Sequence, residues 1–191
     1  MMQTAALVAQ APALGAVARF AEQIRRISWF VAVGEPLLEA ELADARAYLA
    51  ALGFAEASVA AVTNWAEAER CVRDLRWDRG WWAAEEELRR ELLTHVRGDG
   101  AAKALMAALT GVTSEATAVL LGMASTAALR RGIAQQAIDS VAAGAATQAC
   151  YQAALALAAA AGDDHPFALK LRLFVAGHWP LGLVDGCFYV F

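Results

Sequence analysis

The residues best suited to binding a partner lie between Trp65 and Trp82, a stretch that holds four of the chain's six tryptophans. Arginines recur at every third position through it, at 70, 73, 76 and 79. Guanidinium groups stack on indole rings, and clusters of arginine and aromatic residues are frequent energetic centres of protein interfaces. This pattern predicts a partner-binding helix face made of Arg73, Arg76, Trp77, Arg79, Trp81 and Trp82.

A second interpretation of the same stretch places its tryptophans in the core, where large rings fill gaps left by small alanines. The charged residues would then form a solvated helix face. Four oppositely charged pairs have the helical i,i+4 spacing: Glu69–Arg73, Arg70–Asp74, Glu85–Arg89 and Glu86–Arg90. Each such pair contributes only about 0.2–0.5 kcal/mol, so these pairs indicate a stabilised helix surface and not a site. The exposure of the indole rings decides between the two interpretations.

Metal ligation is conceivable at Glu87, Glu91 and His95, which follow one another by one helical turn. An exposed helix end, with His95 near the negative end of the helix dipole, is the simpler interpretation. The run Asp163-Asp164-His165 similarly favours a helix start over a metal site. We therefore expect neither a metal nor a cofactor.

Nucleophilic chemistry has little support in the sequence. The chain has three cysteines, Cys71, Cys150 and Cys187, which are odd in number and far apart, so they suit neither a disulfide framework nor a clustered metal site. Cys187 and His178 are the one Cys/His pair that the predicted elements bring near, and a structural role is favoured for them. The chain has no phosphate-binding glycine loop, no His-Glu-x-x-His and no Gly-x-Ser-x-Gly. These features predict a cytoplasmic, non-catalytic protein.

Nucleic-acid binding is not expected. The formal net charge is -4, whereas proteins that bind the phosphate backbone are usually basic. The apolar spacing over residues 49–62 is similar to that of a helix-turn-helix, but its second helix begins with Ala55, Glu56, Ala57 and Ser58. Base edges are read by longer polar side chains near that helix start, and none is present there.

The positioning elements are predicted to be helices, because about a quarter of the residues are alanine, the strongest helix former. Glycines and prolines divide the chain into apolar segments over 13–33, 36–52, 57–77, 81–97, 101–110, 114–131, 133–161 and 166–176. Ser58 and Thr113 are candidate N-caps for two of these helices. Asp185-Gly186 between two short apolar strands predicts a type I′ β-hairpin at the C-terminus.

The predicted fold is therefore mainly all-α, a compact alanine-rich multi-helix bundle with a short C-terminal β-hairpin. One domain over residues 1–191 is expected, with core helices over 101–177 and the hairpin over 180–191; a separable N-terminal helical lobe over 1–98 is the alternative. Five charged residues lie between positions 102 and 162: Lys103, Glu115, Arg130, Arg131 and Asp139. These helices must be buried inside the monomer or against another subunit.

Residues 140–161 carry no charge and are long enough to span a bilayer, but their apolar content is mostly alanine. A buried helix of a soluble bundle is favoured, and a membrane-associated helical hairpin over 104–161 is the weaker alternative. The leading functional hypothesis is an interaction protein that binds a protein partner and forms a homo-oligomer. The competing hypothesis is a helical small-molecule-binding protein or enzyme, with an apolar pocket between the alanine-rich helices that is walled by tryptophan and anchored by Arg or Glu.

Overall fold

The computed structural model describes residues 12–74, 76–132 and 136–191. Within these ranges the chain forms seven α-helices, a short 3-10 helix and a three-stranded sheet. The helices are α1 (Pro12–Gln23), α2 (Glu39–Ala51), α3 (Trp65–Arg73), α4 (Arg79–Gly98), α5 (Ala102–Arg130), α6 (Gln136–Ala158) and α7 (Pro166–Val175). The 3-10 helix Ile24–Arg26 follows α1, and the strands are β1 (Ser58–Ala61), β2 (Pro180–Val184) and β3 (Cys187–Val190). The prediction of a mainly α-helical fold with a C-terminal hairpin is confirmed.

The centre of the fold is the pair of long helices α5 and α6, which pack along one another. Both helices bury residues, mostly alanine, at intervals of three or four positions: Ala116, Leu120, Ala124 and Ala128 on α5, and Ala142, Ala146, Ala149 and Ala153 on α6. Methyl side chains allow two helix backbones to approach closely, although each contact removes little area from water. The alanine content therefore sets the close packing of this pair.

Helix α5 is less buried than its composition led us to expect. Among the described residues it is the one helix long and apolar enough to cross a membrane. Only 28% of its most apolar 18-residue stretch is buried. Leu121 and Leu129 on this helix are 49% and 65% exposed. The uncharged segment that the sequence singled out, 140–161, forms most of α6 and has half of its residues buried. The two central helices thus differ in how much of their apolar surface the rest of the chain covers.

The predicted break between helices 101–110 and 114–131 is wrong, because α5 runs without interruption through Gly111. A glycine inside a helix costs only about 1 kcal/mol relative to alanine, and packing against α6 offsets that cost. Thr113 is not an N-cap: its hydroxyl donates to the carbonyl oxygen of Leu109, at 3.2 Å, inside the helix. The predicted start of the next helix at Ile133 lies outside the described residues.

The predicted helix over 57–77 is also wrong in its first half. Ser58–Ala61 forms a strand that pairs in parallel with β3, in register Ser58 with Cys187 and Ala61 with Val190. Tertiary pairing overrides helix propensity here, since β3 offers an unpaired edge that the segment satisfies. Helix α3 then begins after Asn64, whose side chain accepts a hydrogen bond from the backbone N–H of Glu67 at 2.9 Å.

The C-terminal hairpin is buried against the helices. Asp185 and Gly186 both have positive φ, 48° and 75°, as the predicted type I′ turn requires. The strand order is β1-β3-β2, and every residue of β2 is buried. Phe191 packs edge-on against Trp65, with ring centroids 4.9 Å apart. An isolated hairpin is marginal in water, so this docking stabilises it.

Candidate functional site

A polar cluster lies inside the molecule, where side chains from four helices converge on Glu85 of α4. The Tyr48 hydroxyl and the Lys170 amine both donate to Oε1 of Glu85, each at 2.6 Å. Trp81 Nε1 donates to the Tyr48 oxygen at 2.8 Å, and Gln152 Nε2 lies 3.5 Å from Oε2 of Glu85. Glu85 is 1% exposed and Lys170 is 8% exposed. A closed cluster of this kind positions α2, α4, α6 and α7 relative to one another.

The electrostatics of the cluster keep Tyr48 protonated. Burial raises the pKa of Tyr48 well above its usual value, and the neighbouring Glu85 carboxylate raises it further. The ammonium group of Lys170 also lies 5.6 Å from the ring centroid of Trp81, a cation–π distance. Because these groups are shielded from solvent, their arrangement is that of a core network that positions helices.

The candidate binding site is a groove on the surface, between the segment that follows α1 and one face of α5. Its volume is about 680 Å³, within the range of small-molecule pockets. Four arginines border it: Arg25, Arg26, Arg130 and Arg131. Apolar groups of Trp29, Phe30, Val31, Val33, Val119, Met123 and Ala127 form much of its lining. We refer to this site as the arginine groove.

One wall of the arginine groove is the chain that leaves α1. The predicted helix over 13–33 ends early, at Gln23, and the 3-10 helix carries the chain to Arg26. The Trp29 indole N–H then donates to the carbonyl oxygen of Ile24 at 2.8 Å, which folds the segment back on itself. Phe30 has φ of 60°, and its ring meets that of Phe174 edge-on, with centroids 6.3 Å apart. These contacts hold the wall in one conformation.

The same wall is anchored to the body of the protein at Gly177. The backbone N–H of Ala32 donates to the Gly177 carbonyl oxygen at 3.1 Å. Gly177 has φ of 97°, and a Cβ there would lie 2.7 Å from Val31 Cγ2 and 2.8 Å from the Ala32 nitrogen. Only glycine permits so close an approach with that backbone conformation.

The opposite wall is a single face of α5. Its lining residues recur at helical spacing: Val119, Gly122, Met123, Thr126, Ala127 and Arg130. The Thr126 hydroxyl donates to the Gly122 carbonyl oxygen at 2.8 Å within the helix. This wall is therefore mainly apolar along its length and ends in arginine.

Two of the four arginines are already neutralised. Arg25 forms a two-point ion pair with Glu115, one contact of which is 2.9 Å between Nη2 and Oε2. Hydrogen bonding to Arg25 lowers the pKa of Glu115. Arg131 Nη2 lies 2.7 Å from Glu35 Oε1. Arg26 and Arg130 form no ion pair with any described residue, so the groove holds an excess of two positive charges.

The predicted Trp–Arg face is distributed over several environments. Arg73, Arg76, Arg79 and Trp82 are exposed, and Trp82 is 45% exposed. Trp77 is half-buried, with its indole N–H donating to the Cys71 carbonyl oxygen at 2.9 Å. Trp81 is 4% exposed and belongs to the core, so it is not part of an exposed surface. Partner binding by the other five residues stays a prediction.

The predicted ion pairs are formed only in part. Glu69 pairs with Arg73 at 2.7 Å as expected. Asp74 instead pairs with Arg76 at 2.7 Å. On α4, the observed pairs are Glu86–Arg89 and Glu87–Arg90, at i,i+3 spacing. The prediction of Glu85–Arg89 is wrong because Glu85 points into the core and binds Tyr48 and Lys170.

The other candidate groups lie apart. Glu87, Glu91 and His95 line a shallow surface cleft with Arg90 and Thr94. No three His, Cys, Asp or Glu side chains are grouped as metal ligands within the described ranges.

His165 caps α7, its Nδ1 accepting the Phe167 N–H at 3.2 Å, which confirms the predicted helix start. His178 Nε2 lies 3.2 Å from Glu41 Oε2, and not beside Cys187.

Sequence reasoning missed the arginine groove. Its visible signal is two of the chain's three Arg-Arg dipeptides, Arg25-Arg26 and Arg130-Arg131, the third being Arg89-Arg90 on α4. The two dipeptides are separated by about a hundred residues, and only the packing of the α1 exit against α5 brings them to one groove. No family model matches the chain, and neither does any curated protein or solved structure.

Proposed function

We propose that this chain is a non-catalytic binding protein whose arginine groove takes a small amphiphilic anion, with a carboxylate or phosphate head and an apolar body. The observation that carries the proposal is the excess of arginine around a groove of about 680 Å³ whose lining is part polar and part apolar. This proposal develops the small-molecule alternative raised by the sequence, with Trp29 as a wall and arginines as anchors.

Charge supports an anionic head group. The whole chain has a formal net charge of -4, yet Arg26 and Arg130 border the groove without a carboxylate partner among the described residues. Guanidinium groups bind carboxylates and phosphates with two parallel hydrogen bonds, which are roughly twice as strong as neutral ones. An anion in the groove would therefore be attracted by these two arginines, although the protein as a whole is negatively charged.

The apolar lining supports an apolar body. Val31, at one side of the groove, is 54% exposed, and Met123 and Val119 on α5 are only partly buried. Covering such groups with an acyl or aryl chain contributes roughly 25 cal/mol per Å² of apolar surface removed from water. Because the wall formed by residues 27–33 is fixed by its own hydrogen bonds, little conformational entropy is lost on binding.

Calorimetric titration with three amphiphiles of equal chain length tests this proposal. The probes are decanoate, decanol and decyltrimethylammonium, each used below its aggregation concentration. We expect saturable one-to-one binding of decanoate, weaker binding of decanol and none of the cation. Equal binding of all three would contradict an anion-selective groove. Binding of decanoate only in the presence of vesicles would indicate a lipid surface as the true ligand and would also contradict the proposal.

A pair of matched variants assigns the binding to the groove. Arg26→Ala with Arg130→Ala should weaken decanoate binding about tenfold or more, since each charge-assisted hydrogen bond is worth about 1.5–3 kcal/mol. The control removes two exposed arginines elsewhere, Arg46→Ala with Arg97→Ala. The control has the same change in net charge, so an equal loss of affinity in both variants would contradict the assignment.

Protein binding through the Trp–Arg face is a second candidate, favoured by one observation. Trp82 keeps 45% of its surface exposed, and Arg79 three residues before it is exposed as well. Trp and Arg are over-represented among the residues that dominate interface energies. Self-association is part of this candidate, because Leu121 and Leu129 leave apolar surface uncovered on α5. Native mass spectrometry tests the two parts separately. Loss of a partner peak in Trp82→Ala supports partner binding, and a wild-type dimer peak that is lost in Leu121→Ala with Leu129→Ala supports self-association. A wild type that is monomeric and retains no partner contradicts this candidate.

A further inference from the structure

One edge of the three-stranded sheet is open. The strand order β1-β3-β2 places β1 and β2 at the two edges. The outer side of β2 is covered, because Trp77 forms an antiparallel bridge with Val184. The Asp78 N–H also donates to the Leu183 carbonyl oxygen there, at 2.9 Å. Strand β1, in contrast, pairs with β3 alone in the part of the chain that the structure describes.

The hydrogen bonds of β1 show which of its residues face the open side. The Ser58 N–H donates at 3.0 Å to the carbonyl oxygen of the residue just before β3, and the Val62 N–H donates at 2.7 Å to that of the last residue of β3. Successive residues of a strand direct their backbone groups to opposite sides, so Val59 and Ala61 direct theirs outward. No other described strand pairs with these groups.

The open edge is accessible and uncharged. Exposed edge strands are commonly protected from pairing by charged side chains or proline. Residues 57–63 contain neither. Ser58 and Ala61 are exposed, and Val59 is half-buried against the apolar residues beside the sheet. The edge therefore presents a short row of backbone donors and acceptors to which another strand can be added.

We propose that this edge binds the same edge of a second copy of the chain, in an antiparallel contact with two-fold symmetry. Val59 of each copy lies opposite Ala61 of the other, so the same surface serves both copies. Each of these pairs exchanges both of its N–H···O bonds, about four bonds in all. The two sheets then form one continuous sheet across the dimer.

The backbone groups that flank β1 select this alignment. A shift of two residues in either direction would bring Ala57 or Thr63 into the ladder in place of one outward residue. The Ala57 N–H already donates to the Phe54 carbonyl oxygen at 3.0 Å. The Thr63 N–H donates to Oε2 of Glu67 at 3.5 Å. The alignment of Val59 with Ala61 therefore uses the donors that remain free.

The side chains also suit a second copy. Ala60 meets Ala60 of the other copy at the centre of the contact, where the opposed Cα atoms are closest and small side chains fit. Glu56 of each copy falls opposite Asn64 of the other. Like charges directly opposite one another destabilise paired strands, and this alignment places none across the ladder.

The contact is small, so the dimer should be weak. A four-residue edge is shorter than an interface of the standard size of about 1,600 Å² requires, and we expect dimers only at about 0.1 mM protein and above. The edge shares no residue with the lining of the arginine groove and does not include Leu121 or Leu129 of α5. The inference therefore does not depend on the proposed function.

Sedimentation velocity and amide hydrogen exchange followed by NMR test the proposal on the full chain, at about 0.05 and 2 mM protein. The dimer should appear at the higher concentration. Where nine tenths of the chains are dimeric, exchange of the Val59 and Ala61 amides should be about tenfold slower. The Ser58 and Val62 amides, which are bonded to β3, should exchange at the same rate at both concentrations.

A matched pair of variants at Ala61 isolates the edge. Ala61→Pro removes an outward N–H and leaves the hydrogen bonds to β3 in place, a position where strands tolerate proline. It should remain monomeric at about 2 mM. Ala61→Thr keeps the N–H and should form the dimer as wild type does. Thermal melts establish that both variants are folded, and the exchange of the wild-type amides decides the question if Ala61→Pro does not fold.

Four results would overturn the inference. The first is a wild type that stays monomeric at about 2 mM. The second is a dimer whose Val59 and Ala61 amides exchange as fast as in the monomer. The third is a dimer that persists in Ala61→Pro but is lost in Leu121→Ala with Leu129→Ala, which would assign it to α5. The fourth is a monomeric chain whose two outward amides are protected only by an added alternating threonine–valine pentapeptide, which would assign the edge to a strand of another protein.

Discussion

The amine of Lys170 lies 2.6 Å from Oε1 of Glu85, and the two residues meet in the interior between α7 and α4. Lys170 is also above the ring of Trp81, and Tyr48 donates to the same Glu85 oxygen. A buried ion pair is maintained only when its remaining hydrogen-bonding groups are satisfied, and donors from α2 and α6 also reach this carboxylate. The pair therefore positions four helices relative to one another, and its removal should lower the free energy of unfolding of the whole fold.

Replacing the lysine alone should destabilise the protein strongly. Lys170→Met leaves the Glu85 carboxylate buried without its cation, and we expect the free energy of unfolding to fall by about 3–5 kcal/mol. Urea denaturation followed by circular dichroism measures the change. The double variant Lys170→Met with Glu85→Gln removes both charges and keeps an acceptor for Tyr48, so it should recover about 2 kcal/mol of that loss. A Lys170→Met variant within about 1 kcal/mol of wild type would contradict this account of the interior.

Alkaline pH should weaken the fold through Tyr48. Its pKa is raised in the folded state, chiefly by burial and then by Glu85, so the folded chain retains a proton that the unfolded chain loses above about pH 10. The stabilisation is complete below that pH and is lost as pH rises toward the folded-state pKa. Between about pH 10 and 11.5 the unfolding free energy of wild type should fall by about 1.4 kcal/mol per pH unit more steeply than that of Tyr48→Phe. Parallel curves for the two proteins would show that Tyr48 is not held protonated.

The neighbouring tryptophans Trp81 and Trp82 should respond in opposite ways to substitution. Trp81→Ala removes a core ring and the donor to Tyr48, and it should cost about 3–5 kcal/mol of unfolding free energy. Trp82→Ala changes a side chain that is 45% exposed and should cost less than about 1 kcal/mol. Thermal melts of the two variants make the comparison. Similar losses in both would mean that Trp82 is as structural as Trp81 and is not free to meet a partner.

Much of the helical framework follows from the sequence because alanine propensity and glycine punctuation act locally. The hairpin is predictable for the same reason, since Asp185-Gly186 encodes its turn through positive φ. Strand β1 was not predictable from Ser58–Ala61, because its partner β3 lies at the other end of the chain. Gly111 led to the wrong prediction of a helix boundary. The small free-energy cost of a glycine inside a helix is outweighed by the packing of α5 on α6.

The candidate site depended even more on contacts between distant residues. The charge pattern predicts that Glu85 lies on the surface with the two glutamates that follow it. Nothing local distinguishes it from Glu86 and Glu87. Only the approach of Lys170 and Tyr48 makes its burial favourable. Trp81 and Trp82 are likewise adjacent in sequence, yet one is buried and the other exposed. The sequence pattern therefore predicts that these residues are helical. Which of them face the core depends on partners that are distant in the sequence.

The close approach at Gly177 should matter to the arginine groove. In Gly177→Ala the new Cβ would meet Val31 and the Ala32 nitrogen, so the groove wall must shift and decanoate affinity should fall. Gly53→Ala is the control, because Gly53 also has positive φ, 88°, but no atom lies within 4 Å of the position that a Cβ would take there. Gly53→Ala should lose about 1–2 kcal/mol of stability from backbone strain, and Gly177→Ala should lose more because its Cβ also collides with the wall. Calorimetry should detect weaker binding in Gly177→Ala alone. Equal affinity in the two would contradict a role for the fixed wall.

The most direct test of the groove is the methyl NMR spectrum of methionine-labelled protein during titration with decanoate. Met123 lines the arginine groove, whereas Met106 lies on the same helix about 25 Å away and is not part of the lining. We predict a saturable shift of the Met123 methyl signal with the Met106 signal unchanged, and loss of the shift in Arg26→Ala with Arg130→Ala. A Met123 signal that does not move, or equal movement of Met106, would contradict binding in the groove.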